Sequence, residues 1–182
     1  MDEHSELRAE LDAIGVIEQP YQAFALVGFY MSMFAAMEMS LNELLGQLMR
    51  ITWPQQRIVV ANMDLAQKVH TARALLRETQ LSREQQDAGH SALNDLLNKV
   101  AKERNMIAHG HIFGHGDDHG GAIIATWRAQ GRLEDKNLIL TTDVAFDSIA
   151  KLFSIAHVLN NLAELVKIHP ANLEAAAAAY TD

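Results

Sequence analysis

Arg104 and His109 are separated by four residues, and Asn105 directly follows the arginine. An imidazole exchanges protons near neutral pH, while a guanidinium forks onto the paired oxygens of a carboxylate or phosphate. Together these two side chains suit acid–base chemistry beside an anionic group. His70, Arg73 and Arg77 recur at spacings of three and four. On a helix they share one side, which fits contact with an RNA phosphate backbone or, equally, an ordinary solvated face. His109, His111, His115 and His119 fall within eleven residues, together with Asp117 and Asp118. That crowding invites a zinc or nickel site at His111, His115 and His119. The segment is glycine-rich and no histidine pair sits at helical spacing on a helix, so no metal and no cofactor is expected. Trp53 and Trp127 have the type for stacking on bases, although burial is the commoner use of tryptophan.

These residues need a frame, and periodicity supplies one. A short amphipathic helix is predicted over Asp2 to Ile17, ending near Gly15 and carrying Leu7, Leu11, Ile14 and Ile17. A long helix should run from Tyr21 to about Thr52, started by Pro20 and stopped before Trp53-Pro54. Its first half is apolar on nearly every face, so it is expected to be buried all round at the centre of a bundle. Met31, Met33, Met37, Met39 and Met49 would fill gaps there. Leu65, Val69, Ala72 and Leu76 predict a third helix over Met63 to Gln80, with Lys68 counted among its solvated basic residues. Ser82 and Gln85 have capping-box spacing for a fourth helix, which runs to about Ala108 with Leu93, Leu97, Val100 and Ile107 on one face. A loop is expected over Gly110 to Gly121, followed by two short strands, Ala122 to Arg128 and Leu138 to Thr141. Thr142 or Asp143 would cap a last helix over Val144 to Ile168, and an alanine-rich tail follows His169-Pro170. The expected fold is mainly α: four to five helices in a bundle, with a small β-hairpin inserted before the last long helix. One domain spans 1–182, with its core at about 21–168, a Gly/His loop at 110–121 and a tail at 170–182.

On a regular fourth helix, Arg104 projects within about 40° of Leu93, Leu97 and Val100. A charge that cannot deprotonate therefore lands on the buried face and requires a partner or an incoming anion. Glu38 is the candidate partner, a carboxylate set among Phe34, Ala35, Met37, Met39 and Leu41. A purely structural Glu38–Arg104 ion pair is the reading without chemistry. On an uninterrupted helix, His109 points about 140° away from Arg104. The two converge only if the last turn loosens or a second chain supplies one of them.

The segment Glu103-Arg104-Asn105-Met106-Ile107-Ala108-His109-Gly110 resembles the signature of the HEPN superfamily: an arginine late in a helix, a polar residue after it, and a histidine following four to six intervening residues. Arg83 and His90 also match, with six residues between, but they begin a helix and Glu84 occupies the polar position. The resemblance covers 21–168 loosely and is sharp only over Arg104 to His109. It implies a helical homodimer with two Arg-Asn-His clusters in a shared cleft, where active members cleave RNA without metal. His109 would act on the ribose 2′-hydroxyl or the leaving oxygen, Arg104 would stabilise phosphoryl charge, and Asn105 would orient the pair. Glu38 would support Arg104, an inference from its apolar setting. Many relatives are instead non-catalytic binding modules, some paired with an antitoxin protein.

Composition narrows the field. With 182 residues, 49% hydrophobic and 21% charged, the chain can bury a core. It has no cysteine, which excludes disulfides, thiolate metal sites and a cysteine nucleophile. The net charge of −8 confines any nucleic-acid contact to local patches. The acidic start, Met1-Asp2-Glu3-His4-Ser5-Glu6, lacks the pattern of a secretory signal, and the stretch Phe24 to Met37 falls short of a bilayer span. A cytoplasmic protein is expected. No glycine-rich phosphate loop or Gly-x-Ser-x-Gly elbow is present.

Overall fold

The computed structural model describes residues 3–18, 21–112, 122–129 and 133–168. The fold is mainly α, with a small antiparallel sheet ahead of the last long helix. In chain order the elements are α1 (Glu3–Gly15), α2 (Tyr21–Met49), α3 (Trp53–Ala61), α4 (Leu65–Arg77), α5 (Arg83–Asp95), a π-helical turn (Leu96–Val100), α6 (Ala101–His109), β1 (His111–Ile112), β2 (Ala122–Ala129), β3 (Leu133–Leu140) and α7 (Thr142–Ile168). The chain divides into two compact units, Met1–Ala35 with Lys102–Leu152, and Ala36–Ala101 with Phe153–Asp182. His115, His119, the rest of the predicted loop from residue 113 to 121, and the tail from 170 lie outside the described residues.

Local chemistry explains where the helices start and stop. Gln55, Gln67 and Gln85 each reach back to the backbone N–H of the residue three before, Thr52, Asp64 and Ser82, at 2.8, 2.8 and 2.9 Å. This is the reciprocal half of a capping box, satisfying a donor that the helix itself leaves open. Helix α2 ends in a Schellman turn: Ile51 N–H bonds Gly46 C=O and Arg50 N–H bonds Gln47 C=O, both at 3.2 Å, with Arg50 at φ 53°. Helix α7 is capped one residue earlier than expected, because the Thr141 hydroxyl accepts from Val144 N–H at 3.2 Å and its carbonyl from Ala145 N–H at 2.9 Å.

In the first unit, Leu7 and Leu11 of α1, Leu26, Tyr30 and Phe34 of α2, and Ile149 and Leu152 of α7 are buried. Arg8 fastens α1 to the start of α7 through Asp143 at 2.8 Å, with its guanidinium 5.5 Å from the centre of the Phe146 ring. The sheet has the order β1-β2-β3, with His111 opposite Ala125, Ile124 opposite Leu138 and Ala122 opposite Leu140. The expected hairpin thus gains a third strand from the start of the predicted loop, and the polar Glu134 to Asn137 is strand, not linker. Pairing with β2 supplies the backbone partners that a loop reading of these residues omits.

In the second unit, Leu41, Leu44 and Leu45 of α2, Val69, Ala72 and Leu76 of α4, Leu93 and Leu96, and Leu159 and Leu162 of α7 are buried. Four expectations are corrected. Helix α3 replaces an unassigned stretch, and its Trp53 is 63% exposed, with Arg57 stacked 4.6 Å from the ring centre. Lys68, read as solvated, is only 6% exposed. The fourth helix is interrupted by the π turn, which offsets its phase, so that Leu96 is buried where Leu97 was expected. Helix α2 is not enclosed all round: Tyr21, Phe24 and Met39 are exposed. At 29 residues, α2, like α7, is by length and composition alone apolar enough to cross a bilayer.

Candidate active site

Helix α6 carries Arg104, Asn105 and His109, and its packing within the first unit explains how the arginine is held. Tyr30 and Phe34, one turn apart on α2, are both buried. The Arg104 guanidinium lies over the Phe34 ring, its carbon 5.4 Å from the centroid, in cation–π range. Nη1 donates to Asn105 Oδ1 at 3.0 Å, so neighbouring residues that a helix splays apart are joined through their side chains. Nε is buried and has no hydrogen-bond partner among the described residues. Among the described residues Arg104 makes no ion pair.

The preceding residue has its own buried partner. Ser148 of α7 donates its hydroxyl to Glu103 Oε1 in a short hydrogen bond. The Tyr30 phenol is pushed well above its ordinary value by burial first and by the Glu103 carboxylate second, with Arg104 opposing. Its hydroxyl has no hydrogen-bond partner among the described residues. Glu103, Arg104 and Tyr30 therefore share one electrostatic neighbourhood. Sequence reasoning missed Tyr30, Phe34 and Ser148. The spacing of four between Tyr30 and Phe34 was a usable signal, whereas nothing near Ser148 marks it.

His109 is exposed and closes α6. The helical ladder continues past it, with Gly110 N–H bonding Met106 C=O at 2.8 Å. No loosened turn swings the histidine back, so it leaves the helix about 140° around and roughly 7.5 Å along from Arg104. The structure brings Arg104 and Asn105 together and leaves His109 on another face of the same helix. Gly110 is required here because a Cβ would collide with Ile124 Cγ2 of β2 and with Met106 C=O. Its bare backbone lets the helix end pass against the sheet and sets where His109 emerges.

Glu38 does not wait for an arginine. Its Oε1 receives Lys68 Nζ at 2.6 Å, within the second unit, and neither the pair nor the burial of Lys68 was legible in the sequence. His70 and Arg77 are exposed on α4 and Arg73 is half-buried. His111 opens β1 and is exposed, and among the described residues no cluster of three metal-ligating side chains occurs. The side chain of Trp127 lies outside what is described.

No family model, curated protein or solved structure matches this chain. Its chemistry must be read from its own residues. A half-buried guanidinium, oriented by a carboxamide and an aromatic ring and lacking a carboxylate among the described residues, is arranged to receive an anion. The exposed His109 imidazole, about 1.4 turns further along α6, points away from that anion within one chain.

Proposed function

We propose that this protein is a cytoplasmic, HEPN-like endoribonuclease that acts as a homodimer and uses no metal. The observation that supports it is the Arg104 guanidinium, held by Asn105 and Phe34 with no ion-pair partner among the described residues. A charge placed only to stitch a bundle would be matched by a carboxylate, as Lys68 is by Glu38. The divergence of Arg104 and His109 along α6 fits a composite site to which each copy contributes a different half. His109 of one copy faces the anion held by Arg104 of the other. His109 then takes the proton of a ribose 2′-hydroxyl, the 2′-oxygen bonds to phosphorus, and the P–O5′ bond breaks. The 5′-oxygen leaves with a proton taken from water and His109 returns its own to solvent, giving a 2′,3′-cyclic phosphate and a 5′-hydroxyl. Arg104 stabilises the charge that builds on the non-bridging oxygens, and Asn105 keeps its fork aimed.

The same divergence favours a second reading, a non-catalytic RNA-binding or protein-interaction module, with Arg104 as an anion contact and an antitoxin protein as a partner. RNA cleavage in the presence of EDTA separates the two. Wild type leaving cyclic-phosphate ends, with activity lost in folded Arg104→Ala and His109→Ala, supports catalysis. Equal background in all three proteins rejects it.

A further inference from the structure

Gly28 stands in the middle of α2 with no packing inside its own chain that requires it. A Cβ there would meet nothing within 4 Å, whereas at Gly46, Gly89 and Gly110 it would strike a neighbour. Glycine weakens a helix interior, because its backbone loses more freedom on folding than that of any other residue. A bare backbone that the chain itself does not need is what lets a second helix approach closely. Tyr21, Phe24, Ser32, Ala36 and Met39 are exposed as well, and with Gly28 they fall within about 120° of arc on α2. No exposed residue of α2 carries a charge. Glu38 pairs with Lys68, and Glu43 accepts from Gln47. Tyr21, Phe24 and Met39 are 69%, 57% and 71% exposed, an apolar stripe of the kind that marks an interaction surface.

The stripe is self-complementary. Turned end for end about a two-fold axis level with residue 30, it sets Gly28 against Ser32, Phe24 against Ala36 and Tyr21 against Met39. Small residues meet at the centre, where crossing helices are closest, and large side chains fill the ends, where the axes diverge. The large side chains of two copies, with the small residues between them, would cover roughly 1,000 Å², the size at which specific interfaces begin. A bilayer suits this face less well, since α2 has no lysine or arginine to meet lipid headgroups.

We propose that this face of α2 docks antiparallel on the same face of a second copy. Phe34, which carries Arg104, leaves α2 on the opposite side, so the contact is separate from that site and does not rest on the reading of Arg104 and His109. Alone it makes a dimer; added to a cleft shared between copies at Arg104, it makes a tetramer. Sedimentation equilibrium of the full chain at micromolar concentrations tests it. Gly28→Leu, whose side chain meets open space within its own chain, and Ser32→Glu should each keep the circular dichroism of the wild type. Each should weaken association on the order of a hundredfold, halving the mass at equal concentration. A wild type that stays monomeric, or folded variants that assemble as the wild type does, overturns the proposal. The chain has no cysteine, so Tyr21→Cys and Met39→Cys each take one spin label. Either alone should give a separation of about 30 Å across the contact and their mixture a new distance below about 20 Å, because the two positions lie about 27 Å apart along α2. Short distances for the single labels would make the helices parallel and overturn it. Sedimentation of the wild type, but not of Ser32→Glu, with phosphatidylcholine vesicles assigns the face to lipid and also overturns it. Mixing Arg104 and His109 variants tests the cleft, so the two contacts can fail separately.

Discussion

Lys68 of α4 reaches Glu38 of α2 at 2.6 Å, with the lysine side chain 7% exposed and the glutamate 31%. The two residues lie 30 positions apart in sequence. An ammonium this deep is tolerable only because a carboxylate meets it, and that carboxylate is the one expected to serve Arg104.

Removing one member should therefore cost more than removing both. Glu38→Leu leaves Lys68 buried without a counter-charge and is expected to destabilise the protein by about 3 kcal/mol, the low end for breaking a buried pair because Glu38 is partly solvated. Glu38→Leu with Lys68→Met should recover most of that loss. A double-mutant cycle of urea denaturation measures the coupling, and additive effects would show that the pair contributes nothing.

The Tyr30 hydroxyl is fully buried and unpaired among the described residues. Tyr30→Phe is expected to leave the protein as stable or to raise stability by about 1 kcal/mol, since it deletes a desolvated polar atom while keeping the ring. The pH dependence has a definite sign. The folded pKa lies above the ordinary value of 10.0, so above pH 10 the unfolded chain releases a proton that the folded chain keeps. Tyr30 thus makes stability fall as pH rises above 10, and the fall should be shallower in Tyr30→Phe. Denaturation midpoints at pH 9 and 11 for both proteins decide it.

A composite site makes a prediction that a single-chain site does not. Arg104→Ala and His109→Ala, each inactive alone, should regain activity when mixed and allowed to exchange subunits, because each mixed dimer holds one intact Arg104 and one intact His109 in the same cleft. About a quarter of wild-type RNA cleavage is expected, half the dimers being mixed and half their sites intact. No recovery after confirmed exchange would place both residues in one chain's site or remove them from catalysis.

Gly110 lets the end of α6 lie against β2, and Gly110→Ala places a methyl group where Ile124 and the Met106 carbonyl already stand. Overpacking of this kind costs roughly 1–3 kcal/mol. The melting temperature should fall by several degrees and, because His109 precedes the shifted residue, any RNA cleavage should fall with it at temperatures where the protein remains folded. An unchanged melting temperature would mean that the sheet yields at no cost.

The elements were legible in the sequence where a short-range rule decides them. Helical spacing marked α1, α2, α4, α5 and α7, Ser82 and Gln85 announced their capping box, and β-branched residues marked β2. Helix α3 and the π turn were not, since the first has little amphipathic pattern and the second changes the period on which such reading rests. Within the candidate site, the sequence determined which side chains are present and how far apart they stand along α6. Only the tertiary structure decided their partners. Phe34 beneath Arg104, Ser148 on Glu103 and Lys68 on Glu38 each join residues at least 30 positions apart. Which cation meets which carboxylate depends on burial and approach between helices, and periodicity within one helix carries no information about the azimuth of its neighbour.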